Sequence, residues 1–402
     1  MGSFLDKPKT EKETNKGEGK DLRYGVAGMQ GWRGTMEDAY AAEPEIKNFP
    51  GWAFFGVFDG HAGAKVADYV SKHLLDEILK TDEFSKPDAD ADTYAAGIRQ
   101  GFLNLDESIK QQPFVSEDFD PSGSTVIVAM VSPTHVYFAN CGDSRGMLCK
   151  KGDVAFATED HKPSCAGEQA RVQAAGGNVL CSRINGSLAV SRALGDFAFK
   201  RRTDKPAIEQ MVSPEPEVTT LERTGDDEFI LLACDGVWDV MANEDAAQYI
   251  TERLRVNADL VDAISQLVDY SLHKESKDNM TAVLVAFPAA PKVDNEEVEK
   301  AKVRDAEVEA ALEAKIREMV RTSDMLDDLD ELSVINDLGR VLPDEYFTVS
   351  RREFICKVLE KTLADQDEGK LEAKKPEADT QAPTAASVED DAAPKTSDDS
   401  EN

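Results

Sequence analysis

The chain contains 402 residues, and its 78 Asp and Glu residues outnumber its 46 Lys and Arg residues, which gives a formal net charge of −32. A chain this acidic repels phosphate backbones, so we expect no nucleic-acid partner. Its longest apolar stretches, residues 52–58 and 229–234, are far shorter than the ~20 residues that span a bilayer. The N-terminus lacks a basic region followed by an apolar core, so we predict no secretory leader, no membrane span and a reducing compartment.

The six cysteines show neither a Cys-x-x-Cys pair nor a histidine at the spacing of a zinc site. A zinc motif or a redox motif would need one of these patterns. We therefore interpret the cysteines as free, mostly structural thiols.

Two regions follow one another from the N-terminus. Residues 1–21 are polar and rich in Lys and Glu, so we expect a flexible arm there. Residues 22–288 form the predicted folded domain, in which short segments rich in β-branched and aromatic residues are separated by turn signals. The segments predicted as strands are residues 52–59, 124–131, 134–140, 145–150, 228–235 and 281–287.

Helical periodicity alternates with these strands. A four-residue apolar repeat runs from Val66 to Ile78, residues 168–175 end at a Gly-Gly pair, and another apolar stripe runs from Leu260 to Val268. The strands come in hairpin-like runs and not in regular βαβ units. The pattern therefore predicts an α+β fold with mostly antiparallel sheets and helices outside.

The composition changes beyond residue 288. Residues 297–320 are rich in Ala, Glu and Lys, and their apolar face, which includes Val308 and Leu312, predicts a long amphipathic helix. Together with later helical segments it makes a small helical extension over residues 289–363. Residues 364–402 are acidic and nearly free of large apolar side chains, so we predict a disordered tail.

Acidic residues recur at the ends of the predicted strands. Asp59 ends a buried strand and precedes Gly60, whose missing side chain lets a backbone carbonyl approach a ligand. Asp235 ends a second strand, Asp278 lies just before a third, and Asp143 lies in a turn between two more. Such carboxylates would repel one another if they converged, and divalent cations relieve that repulsion. An all-oxygen donor set selects Mg²⁺ or Mn²⁺ over zinc, which predicts hydrolysis of a phosphoester at paired metal ions.

Each of these residues also has a plainer interpretation. A single Asp-Gly pair is usually a turn, and only its repetition at strand ends favours a metal site. His61 is either a surface histidine or, next to Asp59, the general acid for a leaving alkoxide. Arg33 is either a solvated charge or a planar fork that binds a phosphate dianion.

Eight motifs follow one another between about residues 23 and 288, and together they resemble the metal-dependent protein serine/threonine phosphatases of the type 2C family. The motifs are residues 30–38, 58–63, 122–125, 140–146, 160–163, 185–196, 233–239 and 277–281. The helical extension and the first eight residues resemble the alpha/beta branch of its animal members. The resemblance implies a central β-sandwich of two antiparallel sheets flanked by pairs of α-helices. It also implies hydrolysis of phosphoserine and phosphothreonine by direct attack of a water that bridges two metal ions.

The resemblance implies a ligand set for two Mg²⁺ or Mn²⁺ ions. Asp59 would bridge both ions, and the Gly60 carbonyl would hold one of them. Asp235 and Asp278 would hold the other ion. A weaker third metal site is implied as well, with the ligands Asp143, Asp235 and Asp239.

Four further residues would act on substrate and water. Arg33 would bind the substrate phosphate, and His61 would protonate the leaving oxygen. Glu37 and Asp38 would act on the metal-bound water from outside the ligand set. Residues 161–202 resemble the flap that lies beside the active site in the family. Because no metal-binding position departs from the family pattern, we expect an active enzyme.

The expected partners are phosphoprotein substrates, and we expect a monomer because no long coiled-coil seam requires a dimer. Gly2 matches a myristoylation site of the animal relatives, but Asp6 stands where the usual motif has Ser or Thr, so a modified and an unmodified arm both stay open. A single myristoyl chain gives only weak, reversible anchoring to lipid. We expect a cytoplasmic protein and leave a nuclear location and peripheral membrane association open.

Other mechanisms are less well supported by the sequence. A covalent aspartyl phosphatase needs two Asp residues separated by one residue after a strand, but Asp59 is followed by Gly60 and His61. A cysteine nucleophile is weaker still, because we recognise no phosphate-cradling loop of the Cys-x5-Arg type. The alternative from another class is a catalytically weak phosphoprotein-binding scaffold. Its helical extension would dock partners, whereas the plainer role of the extension is to brace the domain.

Overall fold

The structure is a computed structural model that describes residues 4–86, 89–116, 120–322, 331–341 and 349–367. The strands of these residues are β1 Phe4–Gly19, β2 Leu22–Arg33, β3 Ala39–Glu43, β4 Ala53–His61, β5 Gly123–Val131, β6 His135–Cys141, β7 Arg145–Lys150, β8 Asp153–Ala157, β9 Val179–Leu180, β10 Arg183–Ile184, β11 Leu194–Gly195, β12 Glu217–Glu222, β13 Asp227–Ala233 and β14 Met280–Ala286. The helices are α1 Lys65–Leu79, α2 Ala91–Lys110, α3 Pro113–Ser116, α4 Ala166–Ala174, α5 Asp235–Trp238, α6 Asn243–Val256, α7 Leu260–His273, α8 Asn295–Thr322, α9 Glu331–Val341 and α10 Val349–Asp367. Short 3₁₀ helices occur at Asp82–Ser85, Phe197–Phe199 and Ala207–Glu209.

Two antiparallel sheets pack face to face. The first has the strand order β1-β2-β14-β13-β7-β8, and the second has the order β12-β6-β5-β4-β3, with β11 paired to β5. Side chains of both sheets fill the core between them, such as Phe55 and Ile127 from the second sheet and Leu232 and Val283 from the first. The α+β sandwich that the sequence predicted is therefore confirmed.

Helices cover the outer face of each sheet, because the apolar stripe of a helix must pack against apolar surface. α1 and α2 lie on the second sheet, where Val66 and Leu74 are fully buried. α5, α6 and α7 lie on the first sheet, where Ile264 and Leu267 are fully buried. The predicted helical stripes correspond to α1 and α7, and the six predicted strands correspond to β4, β5, β6, β7, β13 and β14 with ends displaced by at most two residues.

Helix α2 was missed in the sequence. Its N-cap is Asp90, whose side chain accepts a hydrogen bond from the Thr93 N–H at 2.9 Å. Gly97 and Gly101 lie on its buried face and interrupt the apolar period there. A Cβ atom at Gly101 would lie 2.5 Å from Ile78 Cγ1, so this glycine permits the close packing of α1 against α2.

The flexible arm expected over residues 1–21 is wrong for residues 4–19, which form the edge strand β1. β1 pairs antiparallel with β2, and its register sets Phe4 opposite Arg33. Ion pairs take the place of apolar contacts, since Lys12 Nζ lies 2.6 Å from Asp269 Oδ1 on α7. Backbone pairing and ion pairs hold this strand in the sheet. Because it needs few apolar side chains, its polar composition does not reveal that it is a strand.

The helical extension has an apolar core of its own. The predicted apolar face of α8, including Val308 and Leu312, is buried in one cluster with Leu338 of α9 and Ile355 of α10. This cluster shares no residue with the clusters of the sandwich. The extension therefore has the core that a small helical bundle needs.

Some expectations at the two ends of the chain concern residues beyond the described ones. α10 continues to Asp367, so the first four residues of the predicted disordered tail are helical. The rest of that prediction, residues 368–402, and Gly2, whose modification stays open, lie outside the described residues. Within the described ranges, no helix is both long enough and apolar enough to cross a membrane.

The contact between α1 and α2 predicts that Gly101→Ala lowers stability. The new methyl group would lie 2.5 Å from Ile78 Cγ1, and overpacking of this kind costs about 1–3 kcal/mol. Urea unfolding followed by circular dichroism measures the change in the free energy of unfolding. The matched control is Gly167→Ala in α4, where a Cβ atom meets nothing within 4 Å and stability should stay or rise. Equal losses in the two variants would contradict the packing argument.

Candidate metal centre

Carboxylates from both sheets meet at one end of the sandwich. Asp59 lies near the end of β4 in the second sheet, whereas Asp235 follows β13 and Asp278 precedes β14 in the first sheet. Asp143 lies in the turn that leads from β6 of the second sheet to β7 of the first. These residues are far apart in the chain, and they come together because their strands end at the same edge.

The pKa values of these carboxyls show that their charges interact. Burial raises the pKa of Asp59 well above its ordinary value, and four neighbouring carboxylates raise it further. Those neighbours are Asp235, Asp38, Asp143 and Asp278. Burial also raises the pKa of Asp235, and Asp143, Asp278 and Asp239 add to that effect. The structure thus gathers the acidic residues that the sequence singled out as metal ligands into one electrostatic cluster.

This donor set fits a hard divalent cation. Negative charges that raise one another's pKa are relieved when a cation lies among them. Carboxylate oxygens are the donors that suit Mg²⁺ and Mn²⁺. Asp38 Oδ2 is buried and has no hydrogen-bond partner among the described residues, which is costly unless an ion or a water meets it. The residues present therefore fit the predicted metal ions.

Asp38 lies closer to the other ligands than the sequence suggested. Potential ligand atoms of Asp38, Asp59 and Cys234 all lie within 4.8 Å of one another. Burial raises the pKa of the Asp38 carboxyl to about 7. A nearby cation would favour its ionised form. Asp38 can therefore offer an oxygen to a metal directly as well as through water, whereas the resemblance implied only an indirect role.

Cys234 is a residue of this site that sequence reasoning missed. Its Sγ accepts a hydrogen bond from the Thr281 N–H at 3.1 Å and donates to the Asn279 carbonyl at 3.4 Å. Burial raises the pKa of the thiol well above its ordinary value, so it stays neutral. Sulfur is a soft donor that suits Mg²⁺ and Mn²⁺ poorly, so Cys234 is expected to line the site and not to bind the ion. The only signal in the sequence is its position directly before Asp235.

Asn279 and one glycine hold the loops of the site together. Asn279 Oδ1 accepts a hydrogen bond from the Glu37 N–H at 2.8 Å, and its Nδ2 donates to the Gln30 carbonyl at 2.8 Å. A Cβ atom at Gly60 would lie 2.2 Å from the Glu37 carbonyl oxygen, so only glycine allows this approach. Glu37 thus enters the site through its backbone, while its carboxylate lies 3.3 Å from Thr35 Oγ1. The role of Asn279 was not predicted from the sequence.

Arg33 lies at the rim of the cluster. Its Nη2 donates to Asp278 Oδ2 at 2.6 Å, and one-third of its side chain is exposed. Burial lowers the pKa of Arg33, but the hydrogen bond and charge of Asp278 raise it by more, so the guanidinium is firmly charged. A planar cation next to a metal site is suited to bind an anionic group.

His61 forms an ion pair that the sequence did not predict. Its Nε2 lies 2.7 Å from Asp196 Oδ2, and the Asp196 side chain is buried. Burial lowers the pKa of His61, but the charge and hydrogen bond of Asp196 raise it by more, so the ring favours its protonated form. A Cβ atom at Gly123 would lie 2.2 Å from Asp196 Oδ2, so this glycine makes room for the pair. Asp196 is the last residue of the motif 185–196, and this position was the signal in the sequence that could have pointed to it.

One Cys-x5-Arg spacing does occur in the sequence, from Cys165 to Arg171. Residues between the two form helix α4, not a loop. Arg171 Nη2 lies 2.7 Å from Glu168 Oε2, and its Nε donates to the Gln210 carbonyl at 3.2 Å. The spacing therefore does not build a phosphate cradle, and a cysteine nucleophile stays unsupported.

Comparison with known proteins gives matches along most of the chain. The model of the family Protein phosphatase 2C matches residues 22–280, and that of Protein serine/threonine phosphatase 2C, C-terminal domain, matches residues 281–360. Protein phosphatase 1B of Mus musculus is 49% identical over 331 residues, which cover 80% of this chain and 84% of the relative. Protein phosphatase 1A of Homo sapiens is 48% identical over 325 residues, with coverage of 80% and 84%. A solved phosphatase from a pathogenic strain of Toxoplasma gondii has a TM-score of 0.60 at 27% identity, and the match covers 69% of this chain and 96% of that chain.

Repulsion among the buried carboxylates predicts that Asp59→Asn stabilises the metal-free protein. Removing one charge should raise Tm in EDTA by roughly 2–4 °C for each kcal/mol of repulsion that is removed. The same change should abolish most of the increase in Tm that Mn²⁺ gives the unsubstituted protein. Differential scanning calorimetry in EDTA and in Mn²⁺ measures both effects.

The matched control for this prediction is Asp153→Asn, which neutralises an exposed carboxylate of β8. It should change neither the Tm in EDTA nor the response to Mn²⁺. A lower Tm of Asp59→Asn in EDTA, together with an undiminished response to Mn²⁺, would show that Asp59 does not belong to a cation site.

Proposed function

The chain belongs to the protein phosphatase 2C family, whose protein phosphatases are hydrolases that act on phosphoproteins, and from this premise we propose that it is a Mg²⁺- or Mn²⁺-dependent protein serine/threonine phosphatase. The observation that carries the proposal is the convergence of Asp59, Asp235 and Asp278 at one edge of the sandwich. Arg33 lies beside these carboxylates, and the charges of Asp143 and Glu37 act on the His61 ring. A phosphate ester bound there would meet both cationic groups.

The carboxylates of the two sheets would hold two cations between them. When bound, these cations would neutralise the phosphate charge and lower the pKa of the attacking water. Asp59 offers oxygens from the second sheet, and Asp235 and Asp278 offer oxygens from the first. The Gly60 carbonyl would add one more ligand. A weaker third cation would be held by Asp143, Asp235 and Asp239.

Arg33 would capture and orient the phosphate. Its fork is bound to Asp278 in the structure. Once the Asp278 charge is neutralised, the guanidinium is released toward a phosphate dianion, which it can bind through two parallel hydrogen bonds. Arg33 would thereby help to orient the phosphorus for in-line attack.

His61 would donate a proton to the leaving oxygen. Its Nε2 is held by Asp196, so Nδ1 is the ring nitrogen that can face the substrate. The ion pair also raises the pKa of the ring against the opposing effect of burial, which favours the protonated form. Asp196 is therefore a positioning residue, since it fixes the ring and its charge without touching the substrate.

A general acid at His61 predicts a loss that depends on the leaving group. His61→Gln should slow hydrolysis of phosphoserine peptides by about 10²–10⁴-fold, because their alkoxide needs a proton. Aryl phosphates should lose much less, because their leaving group is a weaker base. Steady-state kinetics on a phosphopeptide and on p-nitrophenyl phosphate measures both. Asp196→Asn should slow both reactions by smaller factors, with the phosphopeptide again losing more than the aryl phosphate. Equal losses of His61→Gln on the two substrates would contradict a general acid at His61.

The proposed activity is tested directly with purified protein and a panel of phosphoserine and phosphothreonine peptides. Phosphate release should require Mg²⁺ or Mn²⁺, stop in EDTA, and be lost in Asp59→Asn. Asp153→Asn serves again as the control and should keep full activity. Phosphopeptide binding without metal-stimulated release would favour the alternative, a catalytically weak scaffold. A phospho-enzyme trapped at Asp59 would instead show a covalent mechanism.

A further inference from the structure

Two cationic side chains balance the acidic cluster at its two ends. Arg33 pairs with Asp278, as described above. At the other end, Lys162 Nζ lies 2.8 Å from Asp143 Oδ2, whose side chain is only 4% exposed. The Lys162 charge opposes the effect of burial on this carboxyl. Each end of the cluster thus has its own internal counterion.

The Lys162 side chain can leave Asp143 while the backbone around it stays in place. About one-third of the side chain is exposed, so solvent can receive the ammonium. The adjacent His161 N–H donates to the Gly142 carbonyl at 2.9 Å, and Ser191 Oγ donates to the His161 carbonyl at 2.7 Å. These hydrogen bonds fix the main chain at His161, next to Lys162, and tie it to Gly142, next to Asp143. A rotation of the lysine side chain is therefore enough to move its charge.

A divalent cation at this end of the cluster would take Asp143 as a ligand, and Lys162 now contacts one oxygen of that carboxylate. The three carboxylates assigned to the weaker third cation are those of Asp143, Asp235 and Asp239. The electrostatic field of all three also acts on the Lys162 ammonium. Two cations within contact distance of one carboxylate repel each other strongly. The lysine and the divalent cation therefore compete for Asp143.

We infer that Lys162 is a built-in countercation of the weaker metal site, which occupies Asp143 in the metal-free protein and has to be displaced before a divalent cation binds there. This inference rests on the proposed metal dependence. The apparent affinity of a site is reduced in proportion to the fraction of molecules in which it is blocked. Competition with Lys162 thus accounts for a third site that is weaker than the two others. The lysine also keeps Asp143 paired when the cation is absent.

The inference predicts that Lys162→Met tightens cation binding at the weakest site. Isothermal titration calorimetry with Mn²⁺ on the full-length protein should show the weakest class of sites bound roughly 3–30-fold more tightly. The strongest class should stay within about twofold. Lys162→Arg keeps the positive charge and should resemble the unsubstituted protein. Asp143→Asn should remove the weakest class, which assigns that class to this end of the cluster.

The matched control is Lys150→Met. Lys150 Nζ also contacts a buried carboxylate, Asp227 Oδ1, at 2.9 Å, but this pair lies at the opposite ends of β7 and β13 from the metal cluster. Lys150→Met removes the same charge from the same kind of pair and should leave every Mn²⁺ affinity unchanged. An equal tightening in both variants would mean that net charge alone is responsible, and it would overturn the inference.

A second measurement separates competition from a merely structural role. Lys162→Met should lower Tm in EDTA, because Asp143 loses its counterion, and it should restore or raise Tm at saturating Mn²⁺. A structural role would lower Tm in both conditions, and weaker Mn²⁺ binding by Lys162→Met would show that the lysine supports the site instead of blocking it. Either result overturns the inference and leaves the proposed function intact. A protein that binds no Mn²⁺ at all would overturn the proposed function and this inference with it.

Discussion

The mutual repulsion of buried carboxylates is the constraint on which the rest of the structure depends. Asp59 and Asp235 are both partly buried among other acidic groups, and desolvation and their neighbours raise both pKa values. These carboxylates would move apart and reduce their repulsion if the backbone that carries them were mobile. The supports are strand ends of two sheets whose shared core is fully packed, so they cannot separate without opening that core. The free energy stored in the repulsion is then available for holding cations.

The loops around the cluster are shaped to keep this arrangement closed. Gly60 allows the end of β4 to touch the Glu37 carbonyl, and Gly123 leaves space for the ion pair between His61 and Asp196. These glycines have no side-chain chemistry of their own. They are needed because the polar groups of the site approach one another more closely than any larger residue would permit. A site of this kind costs stability, and the sandwich and its helices compensate for that cost.

Much of the fold could be predicted from the sequence, because the central strands are apolar runs and the main helices show a clear period. The edge strand β1 could not, since ion pairs such as Lys12 with Asp269 hold it and its composition is that of a disordered arm. Helix α2 was hidden because Gly101, a helix breaker by propensity, is needed for close helix packing. The sandwich and the membership of the phosphatase family are confirmed, but the assignment of single ligands stays a prediction.

The site was predictable to the extent that its residues occupy recognisable positions. Acidic residues at strand ends can be read from the sequence, because a strand end is visible as the end of an apolar run. Asp196 and Asn279 could not be assigned in this way, since their roles depend on which group faces them across the fold. Lys162 presents the same difficulty, because nothing in a linear sequence shows that it lies against Asp143.

The register of the N-terminal strand has a practical consequence for anyone who prepares this protein. Phe4 is paired with Arg33, so the polypeptide enters the folded domain directly beside the residue proposed to take up phosphate. An affinity tag or a carrier protein fused ahead of this strand would begin close to Arg33 and would crowd the space where a phosphate is proposed to bind. Kinetic measurements on such fusions would report the obstruction as well as the enzyme, and they call for cleavage of the added sequence first.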